Sequence, residues 1–195
     1  IKSTGRLKAR ICCRGFDEDA SKNECYSATP HIESIRLFFA IAAMLRTAQQ
    51  ANRQDLVPEL QLIDFSNAFL NATIKDEDNL YVRPPTGIKL APNMILQLNR
   101  SIYGLKTSSK RWKQLLIDDY LVGGYHLRQL ENNPCILMGK GLMILVHVDD
   151  CLILGTTANI VQLTKYLKTV LKFTLESATK FLGMEINITK ENIIV

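Results

Sequence analysis

The sequence has no apolar run long enough to cross a membrane, and neither Cys-x-x-Cys nor His-x-x-x-His spacing occurs in it. The first absence argues against a transmembrane helix, and the second against a zinc site. No secretory leader is expected from the opening residues. Its five cysteines (Cys12, Cys13, Cys25, Cys135 and Cys151) are odd in number and form no framework, so a reduced, intracellular protein is expected. No internal repeat or low-complexity linker divides the chain. With 195 residues, 47% hydrophobic and 22% charged, it suits one compact unit or two small lobes sharing a core. The start at Ile1 and the apolar end Asn-Ile-Ile-Val195 read as a domain cut from something longer.

The net charge of +5 is unevenly spread. Lys2, Arg6, Lys8, Arg10 and Arg14 make the N-terminus basic, and Lys106, Lys110, Arg111 and Lys113 form a second cluster. Such clusters fit a polyanionic partner, but a solvated face explains each one more simply.

The chain is organised around Gly141-Leu-Met-Ile-Leu-Val-His-Val-Asp-Asp-Cys-Leu-Ile-Leu-Gly155. Two adjacent carboxylates, Asp149 and Asp150, interrupt two segments that both favour burial. Burying a carboxylate costs several kcal/mol unless donors or a cation compensate. Either the pair caps a tight hairpin in solvent, or it holds metal at a sheet edge. Strands are expected at 134–138, 142–148 and 151–154, with Asp149-Asp150 as a two-residue hairpin site.

Upstream, residues 6–14 alternate basic and apolar and predict a half-exposed strand with one cationic face. Thr29 and Pro30 read as the N-cap and first residue of a helix running to Gln50, with Ile32, Ile35, Phe38 or Phe39, Ala42 and Leu45 as its stripe. Residues 59–65 alternate so that Leu60, Leu62 and Asp64 share a face. Asp64 would then end a core-facing series, an unusual place for an acid. A turn or short helix should follow at Ser66–Asn71, brief strands at 80–83 and 94–98, and a helix from Thr107 to about Leu121 ended by Gly123-Gly124. Thr156-Thr157 should cap another helix, with Val161, Tyr166 or Leu167, and Val170 inward. Residues 173–176 and 181–188 should form an antiparallel pair. This order is α+β, with helices covering one face of an antiparallel sheet in a split-βαβ, ferredoxin-like arrangement.

If the strands ending at Asp64 and Asp149 are neighbours, three carboxylates meet, and a divalent cation is the natural neutraliser. Oxygen donors without histidine favour Mg²⁺ or Mn²⁺. Two such ions can clamp an in-line phosphoryl transfer. An Asp-Asp pair alone is more often a plain turn.

Six segments occur in order: Lys8-Ala-Arg-Ile-Cys-Cys-Arg-Gly15, Leu62-Ile-Asp-Phe-Ser-Asn-Ala-Phe-Leu-Asn71, Leu80-Tyr-Val-Arg-Pro-Pro-Thr-Gly87, Leu98-Asn-Arg-Ser-Ile-Tyr-Gly-Leu-Lys106, His147-Val-Asp-Asp150 and Phe181-Leu-Gly-Met-Glu-Ile186. Together they resemble the reverse transcriptase of copia-type LTR retrotransposons, over nearly all of residues 6–190. The resemblance implies an RNA-directed DNA polymerase of right-hand form. Its fingers would take 1–57, the palm 58–78 with the first acid, the returning fingers 79–101 and the palm again 102–195. Thumb, integrase and ribonuclease H would lie elsewhere in the Pol polyprotein. Asp64, Asp149 and Asp150 would hold two Mg²⁺ or Mn²⁺ ions, with the Phe65 carbonyl completing one shell. Phe69 would lie under the sugar of the incoming deoxynucleoside triphosphate and reject a 2′-hydroxyl; a core aromatic on a short helix is the equal alternative. Lys8, Arg10 and Arg14 match a basic strand meeting triphosphate or template. Gly104 and Lys106 match a loop near template and nucleotide, and Leu182-Gly183 a turn supporting the primer end. The implied partners are a primed RNA or DNA template, deoxynucleotides and the rest of the polyprotein, with no membrane. The implied location is the cytoplasm, in a virus-like particle for an intact element, or the nucleus.

The sequence departs from the family pattern at His147 (usually tyrosine), Ser66 (usually lysine), Ala72 (usually glycine) and Thr107-Ser-Ser-Lys110 (usually Gln-Ala-Pro-Arg). All three acids are kept. A second reading is therefore a decayed or domesticated copy that binds nucleic acid without catalysis. A third, another split-βαβ nucleotidyl enzyme such as a cyclase, explains the acids but not the basic strand or the Gly-Leu-Lys loop.

Overall fold

The structure is a computed structural model describing residues 10–18, 25–50, 57–75, 79–89, 91–189 and 193–195. In chain order its elements are α1 (Ile32–Gln50), β1 (Glu59–Phe65), α2 (Ala68–Asn71), β2 (Tyr81–Val82), β3 (Leu96–Gln97) and α3 (Ser108–Lys113), which continues as a π-helical stretch over Gln114–Gly124. Then follow β4 (Arg128–Leu130), β5 (Asn133–Gly139), β6 (Leu142–His147), β7 (Asp150–Gly155), α4 (Thr157–Leu167), β8 (Phe173–Ser177), β9 (Lys180–Phe181), β10 (Met184–Glu185), β11 (Asn187–Ile188) and β12 (Ile193–Ile194). The fold is mixed α+β with an antiparallel sheet. No helix among the described residues is long and apolar enough to cross a membrane.

The chain divides into two compact units, one of residues 1–27 and 67–115, the other of 28–66 and 116–195. The second unit holds a six-stranded sheet in the order β4-β5-β6-β7-β1-β8, with every neighbour antiparallel. Chain order does not give this arrangement, because β1 inserts between β7 and β8. On one face, Leu60, Leu145, Leu152, Leu154 and Met143 pack with Ile35, Phe38, Phe39 and Ala42 of α1. The opposite face is also closed, since Ile63 and Ile153 have no exposed surface. The expectation of helices on one face left the other face undescribed; it too is buried. The reason lies in β6 and β7, whose apolar residues run continuously instead of alternating, as strands buried on both faces do.

Other boundaries moved for local reasons. The first helix begins at Ile32, two residues beyond Pro30, and His31 supplies the carbonyl accepting from the Ser34 and Ile35 N–H groups. The α4 cap is as expected, with the Thr156 hydroxyl accepting from the Asn159 N–H at 3.4 Å. Its inward face is shifted: Ile160, Leu163, Thr164 and Leu167 are buried, while Val161 and Val170 are exposed. The stretch 173–177 pairs with β1 and not with 181–188, which folds into the separate pairs β9–β10 and β11–β12. The last of these pairs reaches beyond 188. In the predicted basic strand, residues 6–9 lie outside the described residues. Of 10–14, only Cys12 pairs, in a single bridge to Tyr103.

In the first unit, Gly15 and Gly104 pass backbone to backbone. A Cβ at Gly104 would meet the Cys13 carbonyl oxygen at 2.1 Å, and φ there is +93°. Gly87 also has positive φ, +98°, but open space around it. Gly104→Ala should therefore cost about 2 kcal/mol or more, combining overpacking with left-handed strain. Gly87→Ala should cost only the strain, about 1 kcal/mol. Urea titration of both variants checks this; equal losses would contradict the close approach.

Candidate active site

The acids come together through strand register. Asp64 of β1 pairs with Asp150 of β7, and Asp150 pairs with His147 of β6. On the far side Asp64 pairs with Thr174 of β8. Directly opposed residues of antiparallel strands point to one face. His147, Asp150, Asp64 and Thr174 thus form a row at one end of the sheet. The hairpin turn is Val148-Asp149, one residue earlier than Asp149-Asp150, because Asp150 is already in the β7 ladder. Asp149 is half-buried at the turn, and its carbonyl accepts from the Phe65 N–H at 3.0 Å. This bond ties the turn to the end of β1. Val148 sits at φ 51°, a strained conformation for a β-branched residue that such surrounding bonds must hold.

Asp64 is exposed rather than buried, so its place at the end of β1 carries less desolvation cost than the sequence pattern implied. Asp150 is half-buried. Burial and then the charge of Asp64 raise its carboxyl above the ordinary range, while His147 acts the other way. Like charges placed directly opposite across strands destabilise each other. Burial, with Asp150 and Asp149 adding to it, also pushes the Cys151 thiol far up, so it stays protonated beside the acids.

The raised Asp150 has a consequence for stability. Its folded form holds a proton over a pH range where the unfolded chain has lost it, so stability falls as pH rises through that window. Without divalent cation, Asp150→Asn should melt higher than the wild type at pH 7. The difference should close at about pH 3, below the ordinary carboxylate range. Thermal melts at the two pH values decide it, and a variant less stable at pH 7 would contradict the opposed-acid geometry.

Among the described residues, no group of three His, Cys, Asp or Glu side chains is near enough to hold a metal ion. The structure opposes two of the acids, Asp64 and Asp150, and leaves Asp149 beside them in the turn. Two hard oxygen donors that repel each other suit a divalent cation by their chemistry, so the donor set fits such an ion, with the Asp149 carboxylate next in the chain to Asp150.

The remaining expected site residues lie as follows. Phe65 is buried and packs against Phe173 with ring centroids 5.8 Å apart. In the first unit, Phe69 is half-buried on α2, which starts from Asn67 in the left-handed region. Arg10 is exposed and lies 4.2 Å over the Tyr103 ring. The Lys106 ammonium donates to the Glu18 carbonyl at 2.7 Å, and the Lys106 N–H to the Glu18 carboxylate at 2.8 Å. Lys106 thereby clamps its own loop to residues 13–18, alongside Gly104. Arg14 pairs with Asp17 at the surface. Lys8 lies outside the described residues. Leu182 and Gly183 form a turn between β9 and β10, both at positive φ. No sequence pattern singles out Glu18 or Tyr103. Glu18 lies in a polar stretch without periodicity, and Tyr103 lies inside the longer segment Leu98–Lys106.

Over residues 1–195 the chain matches the family described as reverse transcriptase (RNA-dependent DNA polymerase). It is 29% identical over 159 residues to the retrovirus-related Pol polyprotein from transposon TNT 1-94 of Nicotiana tabacum, covering 77% of this chain and 11% of that protein. It is 28% identical over 160 residues to the retrovirus-related Pol polyprotein from transposon RE2 of Arabidopsis thaliana, covering 78% and 10%. The chain thus spans about a tenth of the length of these curated relatives.

Proposed function

The chain belongs to the reverse transcriptase family, in the form carried by copia-type LTR retrotransposon Pol polyproteins, and from that premise we propose that it is the fingers and palm of an RNA-directed DNA polymerase. The six-stranded unit would serve as a split-βαβ palm and the other unit as fingers. In this division α1, expected within the fingers stretch 1–57, goes to the palm, because its buried face is part of the sheet's core, while 67–78 and 102–115, expected in the palm, go to the fingers. The observation that carries the proposal is the register placing Asp64 opposite Asp150, with Asp149 in the adjoining turn.

In this reading Asp64, Asp149 and Asp150 would hold two Mg²⁺ or Mn²⁺ ions, aided by the Phe65 carbonyl. When bound, the ions supply charge neutralisation for in-line transfer of a deoxynucleotide to a primer 3′ end. The chain's own residues do the positioning. The Phe65 N–H fixes the turn that presents Asp149, and the strand register sets Asp150 against Asp64. Cys151, next to Asp150 along β7, is buried on the opposite face of the sheet and adds no competing soft ligand. Phe69 would read the sugar, Lys8 and Arg10 would meet triphosphate or template, Gly104 and Lys106 would lie near template and nucleotide, and Leu182-Gly183 would support the primer end. Primed template, deoxynucleotides and the rest of the polyprotein are the proposed partners. The proposed location is the cytoplasm, within a virus-like particle, or the nucleus.

A second reading has one observation in its favour. His147 is registered opposite Asp150 and packs edge-on to Phe181 at 6.3 Å, a polar ring where the family pattern has tyrosine. It casts the chain as a copy that binds nucleic acid without catalysis. Protein carrying the flanking polyprotein sequence, given a primed RNA template and deoxynucleotides, separates the two. Mg²⁺-dependent extension supports polymerase function, whereas salt-dependent binding without extension supports the binding-only copy.

A further inference from the structure

Three side chains of the first unit meet at Tyr103. The Arg10 guanidinium lies 4.2 Å from the Tyr103 ring centroid. The Phe69 ring centroid is 5.0 Å from the same ring, inclined at 62°. Both geometries are attractive. The backbone on each side makes the meeting obligatory. The Cys13 N–H donates to the Tyr103 carbonyl at 2.7 Å, and Cys12 bridges to Tyr103, so the segment carrying Arg10 is tied to this residue. On the other side, the Ser101 N–H donates to the Ala72 carbonyl at 2.9 Å, and the Ile74 N–H to the Asn99 carbonyl at 3.0 Å. The Arg100 guanidinium donates to the Asn71 carbonyl at 2.8 Å. These bonds tie the end of α2, which carries Phe69, to the segment leading into Tyr103.

Phe69 sits on a helix of only four residues. So short a helix has little stability of its own, and the direction of the ring depends on what it packs against. A ring excludes a hydroxyl group only while it cannot swing aside, and the Tyr103 ring resists that swing. The same ring lies under Arg10.

We propose that Tyr103 is a positioning and specificity-determining residue: its ring fixes Phe69 in the orientation that rejects a 2′-hydroxyl and holds Arg10 ready for a triphosphate. This rests on the polymerase reading above. It joins sugar selection and triphosphate binding, which the family resemblance puts on two separate segments, through one side chain.

The test is single-nucleotide incorporation of matched deoxy- and ribonucleotides by wild type, Tyr103→Phe and Tyr103→Leu, each carrying the flanking polyprotein sequence. Tyr103→Leu should lose roughly tenfold or more of the deoxy-over-ribo ratio in kcat/KM. Its KM should rise for both nucleotides, with kcat for the deoxynucleotide changed less. Tyr103→Phe keeps the ring and should keep wild-type discrimination. Tyr103→Met is read in the same way if the leucine variant fails to melt cooperatively. An equal fall in kcat for both nucleotides at unchanged discrimination would mark a merely structural role and overturn the proposal. Loss of discrimination in Tyr103→Phe would overturn it too, by assigning the effect to the hydroxyl. Wild type that incorporates neither nucleotide overturns the polymerase reading itself. Wild type and Tyr103→Leu that discriminate equally overturn only the role of Tyr103.

Discussion

Asp149→Asn should lower Mg²⁺-dependent primer extension on the order of 10³-fold or more, with binding of the primed template retained. The proposed ions neutralise charge that develops during nucleotidyl transfer, a contribution of several kcal/mol. A loss of about 4 kcal/mol corresponds to three decades of rate. Asparagine keeps the shape of the side chain and suits a turn position, and the Phe65 N–H contacts the backbone carbonyl of residue 149, which the substitution leaves in place. The fold should therefore survive, and the thermal melt should stay close to that of the wild type. Single-turnover extension beside a binding titration measures both quantities. Extension within tenfold of the wild type would remove Asp149 from the metal set.

Phe38→Ala should be among the most damaging of the simple core truncations, at about 3–5 kcal/mol. Phe38 has no exposed surface and lies in the cluster that joins α1 to the sheet through Leu60, Leu145, Leu152 and Leu154. Its ring also meets Phe39 edge-on, with centroids 6.1 Å apart. Typical domains have only about 5–15 kcal/mol of stability in total, so this one change should bring the unit close to unfolding at ambient temperature. Leu45→Ala, on the same helical stripe but 37% exposed, should cost less than about 1 kcal/mol. The urea midpoints of the two variants make the comparison, and similar losses would contradict the packing of α1.

That contrast shows what the sequence could and could not reveal. The period of α1 was legible, because its apolar positions fall on one stripe. Which turns of the helix reach the sheet was not, since cover depends on where the sheet ends. The strands around the acids were legible from their apolar runs and from the Asp-Asp interruption. The turn was misplaced by one residue, because only the ladder to His147 shows that Asp150 is already paired. The meeting of Asp64 with Asp150 was legible only as a condition. It requires β1 to insert between β7 and β8, a pairing across some ninety residues that no local pattern encodes. The α4 register slipped by one residue because Val161 and Val170 extend an apolar stripe beside the buried one. The short β4, Arg-Gln-Leu, has no alternation to read. Tyr103 is not legible for a related reason: its contacts with Arg10 and Phe69 are distant in sequence, and long-range backbone contacts, among them the bridges Cys12–Tyr103 and Thr73–Arg100, bring them together.

The end of β1 and the β6–β7 turn are proposed to hold the same divalent cations. Iron-directed backbone cleavage tests this without relying on turnover. Fe²⁺ takes the place of Mg²⁺ in the protein bound to primed template, and ascorbate and peroxide generate radicals that cut the chain near the ion. Cuts should cluster at residues 64–66 and 147–150, disappear with excess Mg²⁺, and be lost in Asp64→Asn. Cuts elsewhere, or cuts at these positions that persist in Asp64→Asn, would contradict it.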